Sequence, residues 1–229
     1  MVQVRDQFHL RPDGQVDLEQ WLQRLPVDLP QAERERLGAA CRMVEGVRRS
    51  PATDPGDWAR ESDCFTAGLD IAVILAELQV GCDCLAAGVV YRAVREQRLP
   101  LEQVGATLGQ PVATLVEGVL RMAAISQLRG ANDGPVLGQA QAQNDNIRKM
   151  LIALVDDVRV ALIKLAERTC AIRVVKNDEQ RRLPVAREVF DVYAPLAHRL
   201  GIGQLKWELE DLSFRYLYGD AYRKIARLL

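Results

Sequence analysis

From Ser62 almost to the end of this 229-residue chain, apolar side chains recur three and four positions apart, and nowhere do they alternate with polar ones for long. That periodicity belongs to helices that each bury one face, and it leaves no stretch that calls for a sheet. Leu69, Val73, Ala76 and Val80 form one such stripe. Residues 82–95 are apolar and Ala-rich, as in a helix buried on much of its surface. A short helix is expected from Leu101 to Leu108, a break at Gly109-Gln110-Pro111, and a further helix over residues 112–122. The strongest signal runs over residues 144–175, where Ile147, Met150, Leu151, Leu154, Val158, Leu162, Leu165 and Ile172 keep one face apolar. Asp156-Asp157 divides that run into two helices, the second capped by an Asp.

Punctuation completes the outline. Asp17 caps a first helix whose face carries Leu18, Trp21, Leu22 and Leu25, and a second helix runs from about Pro30 to Val47. Residues 50–57 (SPATDPGD) and 130–143 (GANDGPVLGQAQAQ) read as loops. The polar run KNDEQRR reads as a turn before a helix over residues 185–200. Gly201-Ile202-Gly203 then leads into KWELEDLSFRYLY and a last helix, AYRKIARLL, after which no breaker follows, so the natural chain is expected to continue. The expectation is an all-α fold of about nine to eleven helices, packed orthogonally rather than as a simple bundle.

Composition narrows the chemistry. There are two histidines, His9 and His198, too few for a centre built on several imidazoles. Thirty basic against 31 acidic side chains argue against gripping nucleic acid by bulk charge. Five irregularly spaced cysteines (Cys41, Cys64, Cys82, Cys84, Cys170) read as reduced thiols in a cytoplasmic protein. The opening MVQVRDQFHLRPDG puts charges where a secretory signal needs an apolar run, and no window approaches the ~18 apolar residues of a membrane span.

Each reactive-looking cluster has a plain reading beside a chemical one. Cys82-Asp83-Cys84 resembles half a metal site, but two helical positions apart the thiols diverge, so buried thiols are the default. Asp156-Asp157 with Glu167 and Arg168 reads as capping plus a solvated salt-bridge face before it reads as catalysis. Arg92, Arg95 and Arg98 form a basic stripe at helical spacing, usually solvated, otherwise a phosphate or domain contact. His198 has no Asp, Cys or His close in sequence and defaults to a hydrogen-bonded structural residue.

Residues 193–217, YAPLAHRLGIGQLKWELEDLSFRYL, closely resemble the segment that follows the hydrolase domain in the long RelA/SpoT family, whose members make and degrade the alarmone (p)ppGpp. Upstream, DIAVILAEL (residues 70–78), LGQPVATLVEGVLRM (108–122) and NIRKMLIALVDDVRVALIKLAERT (146–169) fall in the family's order, so the likeness covers roughly residues 60–229. The opening MVQVR resembles one branch, the synthetase-only proteins with an inert hydrolase-like domain.

The resemblance implies an HD-type helical domain. In active members Mn²⁺ is held there by a His before a Pro, a His-Asp pair and a later Asp, and pyrophosphate is removed from the 3′ position. Here Ala67-Gly68 stands for His-Pro, Tyr91-Arg92 for His-Asp, and Arg95-Glu96 for a catalytic Glu-Asp pair. Glu167 replaces the later Asp, Cys170 a His, and Ala171 a nucleotide-contacting Asn. A guanidinium has no lone pair to give a metal, so Arg92 repels what an Asp would hold. The resemblance therefore implies no cofactor in this chain, Mn²⁺ being lost and Mg²⁺ belonging to a synthetase domain beyond it. It divides the chain into an extension (1–50), a degenerate HD domain (51–184) and connector helices (185–229).

Three functions follow. The first is a silent regulatory scaffold for the synthetase domain, with the ribosome met through other regions and neither nucleic acid nor membrane bound directly. The second is a metal-free sensor of guanine nucleotide, with (p)ppGpp held by Arg92, Arg95, Arg148 or Arg168. The third is a divergent hydrolase.

Overall fold

The computed structural model describes residues 16–48, 63–130 and 157–228, and among them every regular element is helical. Eleven α-helical segments are present in these residues, as the apolar periodicity predicts. They fall into two compact units, with the boundary between residues 118 and 119, inside one helix.

The first unit holds α1 (Leu18–Arg24), α2 (Gln31–Val47), α3 (Cys64–Glu77), α4 (Cys82–Arg95), α5 (Leu101–Leu108) and the start of α6 (Gln110–Gly130). Asp17 caps α1 by accepting from Gln20 N, and Asp63 caps α3 by accepting from Thr66 N at 2.7 Å. At the centre lies α4, where every side chain from Cys84 to Val94 is buried. It packs against α3 so closely that two glycines leave little or no room for a Cβ. A Cβ on Gly68 would lie 2.3 Å from the Val89 carbonyl oxygen, and one on Gly88 would lie 2.7 Å from Leu75 Cδ1.

The turn after α4 shapes the site described below. Gln97 takes a left-handed conformation (φ 57°), Arg98 N donates to Ala93 O, and Gln97 N donates to Val94 O. This is a Schellman ending in which Gln does what Gly usually does, and it folds Arg98 back over the helix end.

The second unit holds the rest of α6, then α7 (Val158–Val174), α8 (Glu179–Glu188), α9 (Ala194–Arg199), α10 (Gly203–Leu217) and α11 (Gly219–Ala226). Helix α7 is its central element, buried at all but one position from Val160 to Ile172. Asp157 caps it, as expected; the part of the 144–175 run before it lies outside the described residues, as do the predicted loop 50–57 and the predicted loop 130–143 apart from Gly130, which ends α6. Glu208 of α10 takes two hydrogen bonds from Arg173 of α7, at 2.5 and 2.6 Å.

Two boundaries depart from the sequence reading. Helix α6 starts at Gln110, because Pro111 fits the first turn of a helix, where its missing N–H is no loss, and it continues to Gly130 instead of ending at Met122. The run KNDEQRR is not a separating turn. A single 3₁₀ turn (Val175–Asn177) is followed by α8, because Asp178 caps it by accepting from Arg181 N at 3.0 Å. Helix α8 passes through Pro184 and into a π-helical segment, Val189–Tyr193, which ends beside Pro195. Proline has no N–H for the carbonyl four residues back, and the wider turn accommodates that gap.

Candidate functional site

The residues singled out by sequence lie mainly on the two central helices, and each unit treats its carboxylate the same way. In the first unit Arg92 and Glu96 are one turn apart at the end of α4, a spacing that lets side chains meet. Arg92 Nη2 donates to Glu96 Oε1 at 2.6 Å, and both are almost fully buried, at 1% and 6% exposure. Arg98, turned back by the Gln97 ending, donates from Nε to Glu96 Oε2, also at 2.6 Å. Glu96 is thus held between two guanidiniums, one on each oxygen. Arg98 also donates to the Arg48 carbonyl at 3.0 Å, and Arg48 in turn grips Asp63, the cap of α3.

This corrects the reading of Arg92, Arg95 and Arg98 as a solvated stripe. The helix ends at Arg95, so Arg98 is not on its surface, and Arg92 faces inward. Arg95 is half-buried on the last turn. Tyr91 is fully buried on α4, and Ala67 is buried on α3. Beside Ala67, the Val89 carbonyl fills the space that a side chain at Gly68 would need.

In the second unit Glu167 of α7 is fully buried and again has a cation on each oxygen. Lys164 Nζ lies 2.6 Å from Oε2, and Arg168 Nη2 donates to Oε1 at 2.7 Å. Arg168 also reaches Glu188 of α8 at 3.0 Å, and its guanidinium lies over the Tyr193 ring. Burial works against the Arg168 charge, but Glu167, Glu188 and Tyr193 outweigh it and hold the guanidinium well above its ordinary range. Glu167 is therefore not part of a solvated salt-bridge face. Cys170 and Ala171, one turn further along α7, are buried. Arg148 lies outside the described residues.

The thiols are buried, in line with the plain reading. Burial pushes Cys41 up to about 12 and Cys64 up to about 11, and it also raises Cys82. At neutral pH these three are thiols, not the thiolates that bind metals. His198 differs from expectation: it is exposed near the end of α9, and its side chain makes no hydrogen bond among the described residues. The histidine sits on the outer side of a six-residue helix whose buried side chains are Ala194, Leu196 and Ala197.

Comparison with known proteins places the chain. The HD-domain family matches residues 39–203, and the chain belongs to that family. Within it, the chain is 36% identical over its whole length to the GTP pyrophosphokinase of Escherichia coli K12 and 38% identical to that of Photobacterium angustum. It is 33% identical over 88% of its length to the bifunctional (p)ppGpp synthase/hydrolase SpoT of Escherichia coli K12. The chain spans 29% of the length of the two pyrophosphokinases and 27% of SpoT. None of the described helices is long and apolar enough to cross a membrane.

Two interactions could have been read from sequence alone. Arg92 with Glu96 and Lys164 with Glu167 stand at i,i+4 and i,i+3, the spacings at which helix side chains pair. The role of Arg98 left no such trace, because it depends on a left-handed Gln97.

Proposed function

We propose that this chain is a catalytically inactive (p)ppGpp hydrolase-like domain of a RelA-type GTP pyrophosphokinase, retained as a regulatory scaffold for a synthetase domain. One observation carries the reading. Glu96 and Glu167, the carboxylates at family metal and catalytic positions, are each held by two cations.

Mn²⁺ does not suit these residues. A divalent ion would have to displace an arginine or lysine from each carboxylate and leave that cation buried and unpaired, at about 3–5 kcal/mol for each broken pair. Arg92 adds a fixed charge that has no lone pair to offer. Ala67, Tyr91 and Cys170 stand where the resemblance expects imidazoles, and none of them replaces an imidazole as a ligand. No step of hydrolysis is assigned to the chain. Mg²⁺ belongs with pyrophosphate transfer in the synthetase domain, and contact with the ribosome belongs to other regions. Work in the cytoplasm, without direct binding of nucleic acid or membrane, fits the near-neutral charge and the reduced thiols.

The nucleotide-sensor reading has less support. Two of its four arginines, Arg92 and Arg168, are buried against carboxylates and would have to break those pairs to meet a phosphate. The scaffold reading is tested by deleting residues 1–180 from the full-length protein and measuring (p)ppGpp synthesis, basal and stimulated. A change in either rate is expected; both rates unchanged would refute it.

A further inference from the structure

A cationic concavity of the second unit lies away from all these residues, where α10 meets α11. A cleft of about 520 Å³ opens there, lined by Arg215, Gly219, Tyr222, Arg223, Ala226 and Arg227. That volume is within the range of small-ligand sites. Its lining holds three guanidiniums and no carboxylate.

The arginines come from two helices. Arg215 is on the last turn of α10, and Arg223 and Arg227 stand one turn apart on α11. Arg223 donates to Asp220 at 2.5 Å, but that pair is wide open to solvent, at 71% and 88% exposure, and a pair so exposed holds its partner weakly. Arg215 and Arg227 have no carboxylate partner among the described residues. The Arg215 guanidinium rests over the Tyr222 ring, which itself leans on Phe214, so this side chain is placed by packing and not left to wander.

Three like charges around one concavity repel each other, and a multivalent anion relieves that repulsion while offering guanidinium its preferred oxygen geometry. We infer that the α10–α11 cleft is a binding site for a ligand bearing a diphosphate or triphosphate group, gripped by Arg215, Arg223 and Arg227. The inference does not depend on the scaffold reading. A chain of two or three phosphates carries more charge and more acceptor oxygens for guanidiniums on two helices than a single phosphate does, so pyrophosphate binds more tightly than orthophosphate. The ring of Tyr222 is already covered by Arg215, so the phosphates and not a base supply the affinity.

The test is calorimetric titration of the chain with pyrophosphate, ATP and orthophosphate at low ionic strength. Expected are saturable binding of pyrophosphate and ATP, weaker binding of orthophosphate, and a loss of about tenfold or more in the Arg215→Ala/Arg227→Ala double variant. Arg199→Ala, an exposed arginine on α9 outside the cleft, serves as the control and leaves the affinity unchanged. Similar affinities for pyrophosphate and ATP are expected, because recognition rests on the phosphates; ATP binding about tenfold or more tighter than pyrophosphate would contradict that. Circular dichroism establishes that the variants fold. No saturable heat with pyrophosphate or ATP, or binding that the double variant leaves intact, overturns the inference.

Discussion

Replacing Gly68 by alanine sets two effects of known sign against each other. Alanine in a helix interior is favoured over glycine by about 1 kcal/mol, so propensity alone makes Gly68→Ala stabilising. The structure says otherwise, because the new Cβ would stand 2.3 Å from the Val89 carbonyl oxygen and 3.0 Å from its carbonyl carbon. These are backbone atoms of a helix buried on nearly every side, and no rotamer change can move them. Carbon–oxygen contacts settle at about 3.3 Å or more, so α3 and α4 must part by roughly 1 Å at this point. A gap of that size forfeits up to about half the dispersion energy of the contacts it opens. The cost therefore lies at the upper end of the overpacking range, about 3 kcal/mol. After the propensity gain the net loss is about 2 kcal/mol, or a fall of about 4–8 °C in Tm for a chain of this size.

Two other glycines calibrate the result. At Gly88 the added Cβ meets the side-chain atoms Leu75 Cδ1 and Ile71 Cγ2, which can shift, so Gly88→Ala loses less. At Gly46, near the end of α2, it meets nothing within 4 Å, so Gly46→Ala is neutral or gains up to about 1 kcal/mol. Urea unfolding of the three variants should rank them Gly68→Ala least stable, then Gly88→Ala, then Gly46→Ala. If Gly68→Ala is as stable as the parent, the close approach of α3 and α4 is wrong. With it goes the argument that the place of the family's His-Pro pair is filled.

Removing one partner from either buried ion-pair cluster is costly: Glu96→Gln or Glu167→Gln lowers stability by about 3–5 kcal/mol in urea unfolding, because the cations stay behind in the interior. Replacing Arg92 and Glu96 together by Met costs less than Glu96→Gln alone, and a larger loss would contradict the charge argument. Asp157 is held below the usual carboxylate range, chiefly by the hydrogen bond from the Arg159 side chain. Its contribution is present above the unfolded carboxylate value and is lost as pH falls through its lower folded value. Asp157→Asn therefore flattens the decline of stability below about pH 4, and an unchanged acid profile would rule out this capping role. The five thiols react with Ellman's reagent only after unfolding; rapid reaction of Cys41 or Cys64 in native protein at pH 8 would contradict their burial.

The helices that enclose a core were legible because their determinants are local. Asp17 and Asp157 announced their helices, Gly109 ended α5, and the apolar run 82–95 gave α4 its burial. The helix from Glu179 was missed because its first residues are polar and charged. Its existence rests on the Asp178 cap and on packing of the residues that follow. The site was half legible. Substitution by substitution, the resemblance implies that imidazoles and carboxylates are replaced, and the helical spacing shows that Arg92 can reach Glu96. That Glu96 is held from both sides depends on Gln97 accepting a positive φ, which residue type alone does not announce for a glutamine. The burial of Glu167 depends on α7 being enclosed on all sides, a tertiary fact that no periodicity within the helix encodes.

We propose that charge pairing has taken the place of metal in this domain. The most direct test is manganese binding by the purified chain, followed by electron paramagnetic resonance of the free ion, with pyrophosphate release from ppGpp assayed in the same samples. A catalytically active homologue is measured in parallel. The account predicts that the ion stays free and that no pyrophosphate appears, while the homologue binds and hydrolyses. One stoichiometric equivalent of tightly bound manganese, with metal-dependent release of pyrophosphate, would contradict it.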